Sequence, residues 1–264
     1  MSTAKIHDLL VQATQKEASD IHLVVNKPPI FRIHGELTTS ELSELSAKDL
    51  KEMLVEIMNN RQKQIFNDTK ELDFAYYCMD DFQFRVNVHV EKGNIAATIR
   101  LISTKIQEAK TLGIPSAIEI MARKRKGLII LSGTAGSGKS TTLNYMINLI
   151  NNERRCKIIT IEDPIELVHK SNKSLIIQRE VGSDTNSFAA ALKFSLRQDP
   201  DVVVIGETRD LESISMALTT AETGHLVITT LHAPDAIETI NRIIDVYPSG
   251  QREQICTQLA ENLV

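Results

Sequence analysis

Between residues 133 and 140 the chain reads Gly-Thr-Ala-Gly-Ser-Gly-Lys-Ser, a full match to GxxxxGK[ST]. Each position has a chemical reason. Gly133, Gly136 and Gly138 let the backbone around Thr134, Ala135 and Ser137 close on phosphate oxygens, which a Cβ at those glycines would obstruct. Lys139 is placed to reach the β- and γ-phosphates, and the Ser140 hydroxyl to ligate Mg²⁺. Thr141 continues into a helix whose N-terminus favours an anion. The apolar run Leu128-Ile-Ile-Leu131 reads as the strand that must precede such a loop. Motif and context agree on nucleotide binding.

Hydrolysis needs more, and two acidic stretches could supply it. Asp201-Val-Val-Val-Ile-Gly-Glu207 has the form of a buried strand ending in an acid, a Walker B element. Glu207 would hold Mg²⁺, directly or through water, or polarise the nucleophile. Thr160-Ile-Glu-Asp-Pro-Ile-Glu166 bunches three carboxylates at another strand end, where like charges repel unless a cation or a proton relay uses them. Glu166 is assigned as general base with Glu162 and Asp163 supporting metal or water, or with those roles exchanged. His225 and His232 bracket the strand Leu226–Leu231, either as hydrogen-bonded structural groups or as sensing or catalytic ones. They lack the spacing of a zinc motif. Arg209 is a phosphate or inter-subunit contact, or a surface ion pair.

The elements that must position these residues fall into two regions. From Gly127, strand-like segments at 128–132, 158–161, 202–205 and 226–230 alternate with helical patterns at 138–151, 187–198, 210–223 and 234–245, which predicts βαβ units and a largely parallel sheet. Residues 1–110 read instead as a small α+β domain. Ile6, Leu9, Leu10 and Ala13 lie on one helical face. Short strands are expected at 20–25 and 29–35, and Ser46 starts a helix carrying Leu50, Met53, Leu54, Ile57 and Met58 on one side. Strict alternation over Phe82–Val90 predicts a strand that sends Gln83, Arg85, Asn87 and His89 to the face away from the core. Ala97, Ile99 and Leu101 repeat the pattern with Arg100 on the polar side. Arg85 and Arg100 are then either solvated strand arginines or contacts for an anion from another domain or subunit. Residues 111–126, with a short helix and the basic run Arg123–Lys126, are read as a linker between this domain and the one at 127–264.

Composition narrows the class. With 42% hydrophobic and 24% charged residues in 264, the chain has the make-up of a globular protein, and disorder or fibrous repeats are disfavoured. Formal charge is 30 − 34 = −4, which argues against a surface built for nucleic acid. Cys78, Cys156 and Cys256 are odd in number and form no CxxC pair, so they are read as small core residues in a reducing cytosol. No apolar run has the length of a membrane span. Ile255, Leu259 and Leu263 make a helical stripe that ends without a cap, and a longer natural chain is expected.

Taken together, Ala18-Ser-Asp-Ile-His-Leu23, the P-loop, Thr160–Glu166, Gln178-Arg-Glu-Val181, Leu196–Asp201, Gly206-Glu-Thr-Arg-Asp210, Thr223-Gly-His225, Thr230-Leu-His232 and Arg242-Ile-Ile-Asp245 resemble the secretion-type ATPase superfamily, most closely its pilus-retraction branch. That resemblance implies a PAS-like N-terminal domain before a RecA-like P-loop NTPase domain, and a homo-hexamer with ATP or ADP and Mg²⁺ held between the two domains. It assigns Glu166 as base and Glu207 as the Walker B acid, makes His232 catalytic and His225 a nucleotide-binding residue, and brings Arg85 and Arg100 onto the phosphates. It also implies an inner-membrane pilus platform protein as partner, no nucleic acid, and a cytoplasmic location peripheral to the membrane, with force from the N-terminal domain swinging against the ATPase domain. A secretion ATPase or a weakly hydrolysing nucleotide-binding regulator are the alternatives.

Overall fold

In a computed structural model, described for residues 6–78, 82–102, 109–208 and 210–264, the chain divides into two compact units, Met1–Thr104 and Lys105–Val264.

Among the described residues the first unit is a six-stranded antiparallel sheet, order β3-β2-β1-β6-β5-β4, formed by β1 (Ala18–Leu23), β2 (Ile30–Ile33), β3 (Glu36–Thr39), β4 (Glu71–Cys78), β5 (Phe82–Glu91) and β6 (Asn94–Ile102). Three helices accompany it: α1 (Ile6–Gln15), α2 (Ala47–Glu56) and α3 (Asn60–Thr69). Ile6, Leu9, Leu10 and Ala13 of α1 and Leu50, Met53 and Leu54 of α2 are buried with Phe31, Phe84, Val86 and Ile99 from the sheet. Ser46 caps α2, its Oγ accepting from the Asp49 N–H at 3.1 Å. In β5 and β6 Arg85 and Arg100 are opposite each other in register and both exposed, as the alternation predicts. Gln83 departs from that prediction. It is 1% exposed, in register between Tyr77 and Ile102.

The described residues of the second unit form a five-stranded parallel sheet, order β7-β11-β10-β8-β9. Its strands are β7 (Gly127–Ser132), β8 (Lys157–Glu162), β9 (Leu175–Glu180), β10 (Val202–Ile205) and β11 (Leu226–Leu231), and its helices are α4 (Ala109–Leu112), α5 (Ser116–Ala122), α6 (Lys139–Glu153), α7 (Phe188–Ser195), α8 (Leu211–Glu222), α9 (Ala236–Asp245) and α10 (Arg252–Asn262). Both faces of this sheet are covered, which is why its strands read as continuous apolar runs. Alternate strand residues enter two clusters. Ile129, Ile158, Val202, Val204, Leu226 and Ile228 pack with Met146, Ile147 and Ile150 of α6. Leu128, Ile161, Val203, Ile205, Val227 and Leu231 pack with α7, α8, α9 and α10.

The segment expected as a linker is part of this unit. Ala122 of α5 is fully buried beside α6, Arg123 pairs with Glu153 at 2.8 and 2.9 Å, and Glu119 accepts from the Tyr145 hydroxyl at 2.9 Å. A helix docked by a two-pronged ion pair is not a tether. Two further expectations are corrected here. Cys256 is exposed rather than a core residue, while all three cysteines are free. Leu263 lies off the α10 stripe: α10 buries Ile255 and Leu259, then Leu263 takes an extended conformation as its cap and pairs in parallel with Leu128. No described helix is long and apolar enough to cross a membrane.

That terminal pairing brings backbone against Gly127, where a Cβ would meet Val264 Cγ2 at 2.4 Å and the Asn262 carbonyl at 2.9 Å, at φ +116°. Gly127→Ala is therefore expected to destabilise the second unit by about 1–3 kcal/mol, read as a lower urea midpoint. An unchanged midpoint would show that Val264 does not lie against β7.

Candidate active site

Parallel pairing decides where the chemistry collects. With Leu231 opposite Ser132, Ile205 opposite Thr229 and Ile161 opposite Ile205, the carboxyl ends of β7, β11, β10 and β8 share one edge of the sheet. The P-loop, His232, Glu207 and the Glu162–Glu166 stretch leave from those four ends. Crevices outside such strand ends are where open α/β sheets bind ligands.

The loop after β7 is built for an anion. Gly133 and Gly138 have φ +156° and +91°, and a Cβ on Gly133 would stand 2.4 Å from Ser137 Oγ. Thr134, Ala135, Gly136 and Ser137 are exposed, and Gly138 caps α6 without a side-chain hydrogen bond, so the first turn of a 15-residue helix faces the loop with its amides. Lys139 Nζ donates to the carbonyls of Gly133 and Thr134, each at 2.8 Å, which folds the ammonium over the loop. Ser140 and Thr141 follow on the first turn of α6.

Glu207 follows β10 through Gly206, whose N–H donates to the Ile161 carbonyl at 2.8 Å. The next residue is pinned too: the Thr208 N–H donates to the Thr230 carbonyl at 3.0 Å. The Glu207 side chain is 14% exposed, and its Oε2 lies 3.8 Å from His232 Nε2. The structure thus joins Glu207 to His232, which sequence spacing could not show. Among the described residues no group of three or more His, Cys, Asp or Glu is arranged to hold a metal ion. Mg²⁺ needs less, since it keeps water and takes substrate phosphates beside one or two protein oxygens. The Ser140 hydroxyl and the Glu207 carboxylate fit that requirement.

The acids at the end of β8 and just beyond it differ in their surroundings. Glu162 is 6% exposed and its Oε1 accepts from the Thr160 hydroxyl at 2.6 Å and Gln178 Nε2 at 3.1 Å, with the Glu166 N–H donating to it as well. Burial pushes this carboxyl above the usual carboxylate range against those three donors. The expectation that Glu162 assists the metal, or exchanges roles with Glu166, is corrected: a carboxylate turned inward onto protein donors anchors the loop instead. Asp163 and Glu166 are exposed, on either side of a cis Asp163–Pro164 bond.

His225 is also corrected as a nucleotide ligand of its own chain. It precedes β11, so it sits at the opposite sheet edge, roughly 20 Å from the phosphate end at ~3.3 Å per residue. Its Nδ1 lies 3.0 Å from the Thr223 hydroxyl and 3.1 Å from the Thr220 carbonyl. Arg209 lies outside the described residues.

On the first unit, pairing lines up Arg32, Asp20, Arg100 and Arg85 across β2, β1, β6 and β5. Asp20 Oδ1 accepts from Arg100 Nε at 2.9 Å, and Oδ2 lies 4.0 Å from Arg32 Nε. Burial works to raise the Asp20 carboxyl, but hydrogen bonds from Arg100 and Ser19 outweigh it and hold the carboxyl below its ordinary value. One acid among three arginines leaves the row basic. Sequence reading placed two of them and missed Arg32 and Asp20, though Asp20 lay within the Ala18–Leu23 motif.

Sequence reading also missed His169, which ties the loop after β8 to α6. Its Nε2 is 2.9 Å from Asn144 Oδ1, and its Nδ1 is buried with no hydrogen-bond partner among the described residues. Protonating that nitrogen would bury an unpaired N–H, and burial holds the imidazole down to about 4.

A family profile described as "Type II/IV secretion system protein" matches residues 2–261. The chain is 40% identical over 258 residues to the "Type IV pilus retractation ATPase PilT" of Pseudomonas aeruginosa, covering 98% of this chain and 75% of that one. It is 44% identical over 235 residues to the "Twitching motility protein" of Neisseria gonorrhoeae, covering 89% of this chain and 63% of that one. Among solved structures, "Crystal Structure of the Pilus Retraction Motor PilT and Bound ADP" superposes with TM-score 0.93 at 42% identity, over 98% of this chain and 76% of that chain. These relatives are longer than the chain described here.

His169 yields a pH test. A histidine near 6.5 when unfolded and about 4 when native binds fewer protons in the native state, so its contribution to stability is present above pH 6.5 and lost as pH falls toward 4. His169→Gln should flatten the fall in unfolding free energy between pH 6.5 and 4 by up to about 3 kcal/mol relative to the parent. Parallel profiles would place that proton uptake elsewhere.

Proposed function

This chain belongs to the type II/IV secretion system protein family, and we propose that it is an ATP-hydrolysing motor subunit of the kind that retracts type IV pili. The single observation that carries the reading is the meeting of a phosphate-binding loop, a half-buried acid and an exposed acid at one edge of a parallel sheet. Its likeness to the relatives named as a pilus retraction ATPase and a twitching motility protein supplies the biological setting.

In this reading ATP lies with its β- and γ-phosphates on the amides of 134–140. Lys139 exchanges the carbonyls of Gly133 and Thr134 for phosphate oxygens, a charge-assisted contact that replaces two neutral ones. Glu166 orients the attacking water and takes its proton as oxygen bonds to the γ-phosphorus; ADP departs with the electrons of the broken bond. Glu207, with His232 beside it, fixes the polar end of β10. Mg²⁺ would be held by Ser140 and, directly or through water, Glu207, and when bound it offsets phosphate charge. Arg85 and Arg100 add positive charge toward the transferring phosphoryl group in an assembled ring of six chains. A membrane platform protein is the partner that receives the work, from the cytoplasmic side.

Two substitutions separate binding from hydrolysis. Lys139→Ala is expected to weaken ATP and ADP binding about 10- to 100-fold. Glu166→Gln should leave that affinity intact while steady-state phosphate release falls about 10²–10⁴-fold. Undiminished release by Glu166→Gln would remove Glu166 as the base. For the ring, sedimentation should show an ATP-promoted species of six 29.5 kDa chains, and a monomer with and without ATP would overturn the assembly proposal.

A further inference from the structure

The stretch that presents Glu166 belongs to no helix or strand, so its main-chain polar groups need partners from outside it. Most come from β9. The Ile165 N–H donates to Glu180 Oε2 at 3.1 Å. Gln178 Nε2 donates to the Leu167 carbonyl at 2.8 Å, and Gln178 Oε1 accepts from the His169 N–H at 2.7 Å. The Glu166 N–H itself goes to Glu162, which Gln178 Nε2 also reaches at 3.1 Å.

Strand geometry makes this set coherent. Gln178 and Glu180 are two residues apart and so share one face of β9, opposite Thr160 and Glu162 in the parallel register with β8. Glu180 is 6% exposed and is itself fixed, accepting from the Ser183 hydroxyl at 3.1 Å while its own N–H donates to Asp184 at 2.8 Å. Two neighbouring side chains thus grip the backbone just before Glu166 and just after it, and leave the Glu166 side chain exposed.

We propose that Gln178 and Glu180 are positioning residues for ATP hydrolysis, bracing the main chain on both sides of Glu166 so that its carboxylate meets the attacking water in one orientation. This rests on the reading of Glu166 as general base. A displacement of about 1 Å in a reacting group is enough to lower a rate about 100-fold, so loss of the brace acts on the chemical step rather than on nucleotide capture by the P-loop.

The test uses the whole chain with Gln178→Met, Glu180→Leu and Glu180→Gln. Gln178→Met and Glu180→Leu should lower kcat about 10- to 100-fold with KM and ADP affinity within about twofold of the parent, the retained affinity also reporting a folded second unit. Glu180→Gln keeps an acceptor for the Ile165 N–H and should restore kcat to within about threefold of the parent. In a Glu166→Gln background both losses should vanish, as expected of groups acting through that residue. Amide exchange across 163–169 should quicken about tenfold or more in the Met and Leu variants. Unchanged exchange, an equal loss of ADP affinity, or losses that multiply with Glu166→Gln would overturn the brace. Full turnover by Glu166→Gln alone would instead remove the base reading, and exchange would still report whether β9 holds the loop.

Discussion

The parallel hydrogen-bond ladder β7-β11-β10-β8 is the constraint on which the rest of the second unit depends. Parallel strands paired in step end together, so four loops far apart in sequence must leave from one edge. Such a ladder is stable only when both faces are dry, and the two apolar clusters satisfy this by taking alternate residues of the same strands. Helices α6 on one side and α7 to α10 on the other are the covering layers. The edge that carries the phosphate loop is what remains open once those faces are closed.

At that edge, exposure separates groups of identical chemistry. Glu162 ends one strand and Glu166 lies four residues further on, yet one is turned inward onto three donors and the other faces outward. Burial still pushes the Glu162 carboxyl above its usual range, and its three donors offset only part of that cost while tying down the loop between the two acids. Glu207 is intermediate, 14% exposed with His232 nearby. The three acids, drawn from two strand ends, thus run from anchored to accessible.

Much of the fold was legible in the sequence because burial imposes a period. The helix of Ile6, Leu9, Leu10 and Ala13, the Ser46 cap, the alternation in β5 and β6, and the apolar runs of β7, β8, β10 and β11 all carry it. Elements without a buried stripe escaped. All four residues of β3 are exposed and α3 buries none, although the Asn59 and Gln62 capping box was there to be read. β4 has a readable alternation, with Leu72 and Phe74 buried, that went unused. β9 is an edge strand whose Gln178 and Glu180 interrupt the apolar signal, because those residues serve the neighbouring loop. The 111–126 segment looked like a linker since its short helix buries only Ala122 fully and is otherwise pinned through Arg123, Glu119 and Glu153, charged residues with no periodicity of their own.

By itself the sequence determined the local chemistry of the phosphate loop, because a glycine-rich turn between strand and helix needs only contiguous residues to bind an anion. It also determined the α/β character of the second unit and the outward pair Arg85 and Arg100. Tertiary structure alone decided which distant groups meet. It brought Glu207 to His232; it turned Glu162 inward, set Asp20 between Arg100 and Arg32, and made β9 the support of the Glu166 loop. The physical reason is common to all of these. Strand order and register are set by the packing of whole elements, and no local pattern encodes which strand will lie beside which.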